Sequence, residues 1–238
     1  MRLLITSLNL NPNEPLEISD DLTHHLVNVM RVKANDIYKV CNGKGIVGDA
    51  IIKHVTKKHV ELDVYNLKTI QNKIPQIIVA VSLIRKERFE WMIEKAVELG
   101  ADVIIPFTSK YTKPFNESNF DKLLLRWQKI ADTALEQCER PFGCTILEPV
   151  KLGTINFMQA DKTFLFHIKD GSQVVDQKLN SESYKDAKSI LFAIGPEGGF
   201  TDEEVNFIKL NNNCTVLTMG SNILRTETAV IYALSRVL

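Results

Sequence analysis

The hydrophobic period of the chain changes once, near Gln76, and no other feature limits its possible folds as tightly. Ile77–Ile84 is an apolar run broken only by Ser82, as a strand covered on both faces requires. Phe89, Met92, Ile93, Ala96 and Val97 then recur at helical spacing, and Gly100 supplies a C-terminal stop. Val103–Phe107 predicts the next strand. A long helix follows, marked by Phe120, Leu123, Leu124, Trp127, Ala131, Ala134, Leu135 and Cys138, which Pro141 prevents from continuing. Further apolar strands are expected at 163–167, 190–194 and 215–219, with a last helix near 226–237. Strands alternating with helices predict an α/β domain with a mainly parallel sheet.

Before Gln76 the period is that of half-covered strands. Ile37–Cys41 and Ile46–Ile52 flank Asn42-Gly43-Lys44-Gly45, a hairpin signal because Asn and Gly tolerate positive φ. Val60–Val64 alternates apolar and polar residues. One helix interrupts, with Ser19 as its expected cap, Asp20 and Asp21 in its first turn, and Leu22, Leu26, Val29 and Met30 on one face. These elements predict a small β-barrel over residues 1–70. The polar, aperiodic stretch Leu67–Gln76 reads as a linker to a second domain over 76–238.

Composition narrows the function classes. Lys+Arg and Asp+Glu are 29 each, so a nucleic acid could be held only by a local patch. One candidate patch is present: between His24 and Lys68 there are eight Lys/Arg (31, 33, 39, 44, 53, 57, 58 and 68) against four Asp/Glu (36, 49, 61 and 63). An excess of that size also occurs on ordinary solvated surfaces. The absence of any run of about 18 apolar residues argues against a membrane span, and the N-terminus lacks the long apolar segment of a signal peptide. Cys41, Cys138, Cys144 and Cys214 are scattered without a C-x-x-C pair, so no metal is expected and a reducing cytoplasm is. They read as small buried hydrophobes.

The sharpest chemistry-bearing segment runs from Ser189 to Glu204. A strand ends in Gly195-Pro196-Glu197-Gly198-Gly199-Phe200 and feeds a helix whose Thr201 and Glu204 have capping-box spacing. Glycines there permit close backbone approach to a ligand, at the carboxyl end of a strand where open α/β sheets bind ligands. The segment is neither G-x-G-x-x-G nor a Walker loop. Asp202, Glu203 and Glu204 fill the first helical turn, where a phosphate would otherwise bind, so a nucleoside cofactor without phosphates fits better. A plain strand-to-helix turn is the competing reading.

A second strand–loop–helix passage is Leu217–Ala229. Arg225 stands at the positive end of its helix, against the dipole, which points to an external anionic partner or else to a salt bridge with Glu227. Glu136, Gln137 and Arg140 close the long helix, where Arg140 also suits the negative helix end.

His24-His25-Leu-Val-Asn-Val-Met-Arg31, Asn35-Asp36, Lys95-Ala-Val-Glu98-Leu-Gly100, Arg126-Trp127, Glu136-Gln137, Arg140, the Gly195–Phe200 segment and Ile223-Leu-Arg-Thr-Glu-Thr-Ala229 occur in that order. Together they resemble the RsmE family of 16S ribosomal RNA uracil N3-methyltransferases, over nearly the whole chain. The resemblance implies an N-terminal PUA-like barrel and a C-terminal SPOUT-class domain with a trefoil knot. It also implies S-adenosylmethionine as cofactor, small-subunit ribosomal RNA as substrate, and a homodimer. Carried over by matching motif, the cofactor residues are Phe166, His167, Ile194, Gly195, Pro196, Glu197, Gly198, Gly199, Met219, Gly220, Ile223, Leu224 and Thr226. Met219 stands where Leu is usual, Asn222 where Arg is usual, and Glu139 where Gly is usual.

For methyl transfer to uracil N3, a proton must be lost or the developing anion stabilised. Glu197 and Glu227 are candidate bases, and Arg225 and Arg140 candidate anion stabilisers. His25, Arg31, Lys33, Lys53, Gln137, Arg140 and Arg225 are the expected RNA contacts. A ribose 2′-O-methyltransferase of the same class, a non-catalytic RNA-binding assembly factor, and a nucleotide-phosphate enzyme are the competing readings, the last disfavoured by the acidic helix start.

Overall fold

The computed structural model describes residues 2–4, 15–16, 18, 20–72, 74–113, 120–167, 173–174, 179, 181–210, 213–220 and 222–237. The expected cap Ser19 lies outside them. The chain divides into two compact units, residues 1–72 with 135–143, and 73–134 with 144–238.

In the first unit, β1 (Arg2–Leu4), β2 (Pro15–Leu16), β3 (Ile37–Cys41), β4 (Ile46–Val55) and β5 (Val60–Thr69) form one sheet in the order β1-β3-β4-β5-β2. All pairings are antiparallel except β1 with β3. Among the described residues no pairing joins the β1 and β2 edges. Alternation along β4 and β5 buries Ala50, Ile52, Val60, Leu62 and Val64 with Leu16, Leu26 and Val40. At the β3–β4 turn, the Asn42 carboxamide oxygen accepts from Lys44 and Ile46 N–H at 2.8 and 3.0 Å. The segment after the long helix covers this turn: Gly45 N–H donates to Pro141 carbonyl at 3.0 Å, and Gly143 N–H to Gly43 carbonyl at 2.9 Å.

The helix of this unit departs from its expected face. α1 (Asp20–His24) continues as a π-turn over His25–Met30. Its i→i+5 bonding turns the chain less per residue. Leu22, Val27 and Met30 pack around buried Leu26, while Val29 points to solvent with 63% exposure. All eight basic residues between 24 and 68 are exposed, and the four acidic ones are half-buried.

In the second unit every strand pairing is parallel. β6 (Gln76–Ser82), β7 (Val103–Thr108), β8 (Thr145–Ile146), β10 (Lys162–Phe166), β11 (Gln173–Val174), β12 (Ser189–Ile194) and β13 (Cys214–Thr218) run in the order β11-β13-β10-β12-β6-β7-β8, and β9 (Val150–Lys151) pairs with β7. β5 extends to Thr69, so the passage between the units is shorter than the expected linker. Successive residues of the central strands serve opposite faces. Ala80, Leu165, Leu191 and Ala193 pack with Phe107, Phe200, Val205 and Ile208. On the other parity, Phe192 lies 5.9 Å from Phe164 and 5.8 Å from Phe166, centroid to centroid.

The helices are α2 (Lys86–Glu98), α3 (Phe120–Cys138), α4 (Ser181–Tyr184), α5 (Asp202–Lys209) and α6 (Thr226–Leu234). α2 buries the five residues its spacing marks, and Phe89 sits 4.5 Å from Trp127 of α3. α6 packs on α2 and buries Val230, Ala233 and Leu234. Cys41 and Cys144 are buried, Cys138 and Cys214 partly so, and burial pushes the Cys214 thiol up to about 11, which makes it a poor nucleophile. No helix among the described residues is long and apolar enough to cross a membrane.

Glu139, just beyond α3, has φ 55°. A Cβ in that left-handed region costs energy that glycine avoids. Glu139→Gly is therefore expected to raise stability by about 0.5–1 kcal/mol in urea unfolding, and a lowered midpoint would contradict a strained position.

Candidate active site

Three neighbouring parallel strands, β13, β10 and β12, deliver their carboxyl ends to one cavity of about 290 Å³. β10 contributes Phe166 and His167. β12 contributes Ile194 and the loop from Gly195 to Phe200, and β13 contributes Leu217, Thr218 and Met219. The loop after β13 adds Asn222, Ile223 and Leu224, and the first turns of α6 add Thr226 and Ala229. Every expected cofactor residue lies in this lining except Gly220, which turns the chain at φ 98° beside it. Phe200, Leu217, Thr218 and Ala229 join the lining without having been singled out. Among the described residues, the lining contains no Lys or Arg.

The loop over 195–199 is shaped from within and held from outside. Gly199 N–H donates to Pro196 carbonyl at 2.8 Å, and Gly199 sits at φ 73°, which L side chains rarely adopt. Thr226 Oγ1 donates to Gly195 carbonyl at 3.0 Å, tying α6 to the loop. Gly198 is required by a neighbour in the protein: an added Cβ would lie 2.8 Å from Tyr111 Cβ. The capping box is present, with Thr201 Oγ1 accepting from Glu204 N–H at 3.2 Å and Glu204 Oε2 from Thr201 N–H at 2.9 Å. Glu204 Oε1 also accepts from Lys110 N–H at 2.8 Å. Contrary to the argument from phosphate repulsion, the helix start does not line the cavity. Glu203 and Glu204 instead border a separate hollow with Ser109 and Lys151. The Glu204 carboxylate itself fills the place of an anion at that helix end.

Glu197 is the most strongly tied carboxylate of the site. Lys113 Nζ donates to Oε2 at 2.6 Å and an Arg88 guanidinium nitrogen to Oε1 at 3.2 Å. The hydrogen bond and charge of Lys113, followed by the charges of Arg88 and Arg225, hold its pKa below the ordinary glutamate value. Arg88 Nε also faces Glu227 Oε1 at 3.7 Å, so the buried Glu227 pairs with Arg88 rather than with Arg225. Arg225 is the exposed N-cap residue of α6, between lining residues Leu224 and Thr226. Gln137 and Arg140 belong to the first unit, with His25, Arg31, Lys33 and Lys53. Of these, Lys53 is paired with Asp63 at 3.2 Å. Arg88, Tyr111 and Lys113 were missed in sequence, because nothing local marks residues that act on a loop some 84–109 positions away.

A protein-family model described as RNA methyltransferase domain matches residues 71–238, and one described as RNA methyltransferase PUA domain matches residues 18–65. The chain belongs to the RsmE family of RNA methyltransferases. An RsmE relative, the ribosomal RNA small subunit methyltransferase E of Bacillus subtilis, is 28% identical, over 98% of this chain and 93% of that one. Two solved structures share the fold closely. A methyltransferase from Legionella pneumophila in complex with the bound cofactor SAM has a TM-score of 0.85 at 26% identity, covering 98% of this chain and 95% of that one. The ribosomal RNA small subunit methyltransferase E from Neisseria gonorrhoeae bound to S-adenosyl methionine has a TM-score of 0.81 at 26% identity, covering 98% and 94%. The RsmE architecture is thus a small PUA-like sheet unit followed by a parallel α/β unit of the SPOUT class.

Two outcomes follow for the loop. Gly198→Ala forces the Tyr111 backbone away and should weaken S-adenosylmethionine binding by about tenfold or more, as loss of well over 1 kcal/mol of packing does. Gly153→Ala, which meets nothing within 4 Å, is the control, and equal affinities for both variants would refute the contact's importance. The second concerns pH. Because the folded pKa of Glu197 is depressed, its ion pairs are fully present above the ordinary value of 4.5 and are lost as pH falls through the lower folded value. Lys113→Met should move the Glu197 titration, followed by carbon NMR, upward toward 4.5, and an unmoved midpoint would contradict the pairing.

Proposed function

We propose that this chain transfers the methyl group of S-adenosylmethionine to N3 of an unpaired uracil in small-subunit ribosomal RNA, acting as a cytoplasmic homodimer. One observation carries the reading: in a chain of the RsmE family, three parallel strand ends converge on a cavity whose described walls are mainly apolar and hold no Lys or Arg. Phe166, Ile194, Leu217 and Leu224 suit an adenine and ribose, and Glu197 is the one acidic residue among the described lining residues. The donor set therefore fits S-adenosylmethionine, which carries no phosphate. The trefoil threading implied by the resemblance is part of this proposal, and the crowding of the loops after β10, β12 and β13 around one cavity supports it.

When bound, the cofactor supplies an electrophilic methyl group on a sulfonium. The protein's residues hold the base and manage its charge. Loss of the N3 proton leaves negative charge on the uracil ring, and Arg225 is the exposed cation beside the cavity that can stabilise it. Glu197 is a weak base here, since both carboxylate oxygens are engaged by cations and its pKa is depressed. Glu227 is buried against Arg88, which leaves Arg225 the leading catalytic candidate, with Arg140 a further anion stabiliser. A uracil in a duplex hides N3 in pairing, so the target is unpaired or flipped out. His25, Arg31, Lys33, Lys53, Gln137 and Arg140 are proposed to dock the RNA backbone, as their shared unit and the exposed basic side chains support.

Incubation with labelled S-adenosylmethionine and small ribosomal subunits lacking the modification, followed by digestion to nucleosides, should yield labelled 3-methyluridine. Label on a ribose would overturn the substrate assignment, and no label would favour a non-catalytic assembly factor. Arg225→Ala should lower kcat by about 10²–10³-fold, as removal of an anion-stabilising donor does, with cofactor affinity little changed. A loss within a few-fold would remove Arg225 from the mechanism.

A further inference from the structure

Behind the cofactor loop lies a second, smaller hollow of about 50 Å³, which shares Pro196, Glu197 and Gly198 with the cofactor cavity. Arg85, Arg88 and Lys113 line it from α2 and from the loop after β7, with Tyr111 as its apolar wall. We propose that these three cations form a phosphate site for the RNA strand beside the target nucleotide, which Glu197 occupies while RNA is absent. The inference rests on the RNA methyltransferase reading and names a contact of that same site.

Charge and exposure carry the argument. Among the described residues, Arg85, Arg88 and Lys113 line the hollow with Glu197, and Arg88 also pairs with Glu227, an excess of one positive charge (three less two). Among the described residues, the hollow thus holds positive charge that its own carboxylate partners do not balance. Arg85 and Arg88 also begin a helix, where its dipole disfavours cations, so no local helix preference explains them. Glu197 is a displaceable occupant: its side chain is 42% exposed and that of Lys113 69% exposed. Exposed ion pairs of this kind are weak. A phosphodiester offers two oxygens to the same donors, in the bidentate geometry that arginine favours. The two hollows share the loop residues Pro196, Glu197 and Gly198, so the phosphate site borders the cofactor cavity.

If Glu197 competes with phosphate, removing its charge must tighten RNA binding, an outcome that an internal brace does not produce. The test measures affinity for a small-subunit ribosomal RNA fragment against salt concentration, in the presence of S-adenosylhomocysteine. Full-length wild type, Arg85→Ala, Lys113→Ala and Glu197→Gln are compared, with cofactor affinity measured in parallel. Arg85→Ala and Lys113→Ala should each weaken RNA binding by about tenfold and reduce the salt slope by about 0.7 per lost phosphate contact. Glu197→Gln should tighten RNA binding at least a few-fold. Both exposed cations can be removed without uncovering buried Glu227, so folding is not at issue. Unchanged salt slopes in both alanine variants, or weaker RNA binding by Glu197→Gln, would overturn the phosphate site. If wild type itself neither binds nor methylates the RNA, it is the RNA methyltransferase reading that fails.

Discussion

The grip on the loop between β12 and α5 is the constraint on which the rest of the site depends. A strand end alone would leave Gly195–Gly199 free to wander, since glycine loses more freedom on ordering than any other residue. Here the loop backbone is fixed at two points, and a third, exposed contact orients the Glu197 side chain. Thr226 Oγ1 holds the Gly195 carbonyl, the Tyr111 Cβ packs where a Gly198 side chain would be, and Lys113 and Arg88 hold the Glu197 carboxylate. The contacts come from α6, from the loop after β7, which supplies both Tyr111 and Lys113, and from α2. The cavity therefore has its shape because the sheet, two helices and a loop agree about where five residues lie.

That grip divides labour among the charges. With its two oxygens engaged by Lys113 and Arg88, Glu197 stays ionised and serves placement and field more than proton transfer. Arg88 compensates Glu227, a carboxylate whose burial would be costly without a partner. Arg225, exposed at the start of α6, is the cation proposed to stabilise the substrate. An S-adenosyl cofactor carries no phosphate to be cradled, and none of the described lining residues is a Lys or Arg.

Much of the fold was legible because it is written locally. The apolar run at Ile77 and the spaced residues of α2 predict their elements directly, and the Thr201–Glu204 box fixes the start of α5 within four residues of sequence. The cavity was legible through the motif segments, because its walls are the three loops in which they lie. Other features depend on pairs far apart in the chain. Lys113 reaches Glu197 across 84 positions and Arg88 reaches it across 109. The inclusion of residues 135–143 in the first unit rests on contacts such as that between Gly45 and Pro141, which no periodicity announces. Val29 was misassigned because the π-turn rotates the chain away from the helical period on which the expectation rested.

The central claim is that the cavity between β13, β10 and β12 is a nucleoside site without a phosphate subsite. Displacement of labelled S-adenosylmethionine tests it most directly, because a competitor bound elsewhere on the surface does not register. S-adenosylhomocysteine should displace the label fully, and ATP at millimolar concentration should leave it in place, having no Lys or Arg among the described lining residues to receive its phosphates. Displacement by ATP as effective as by S-adenosylhomocysteine would contradict the account.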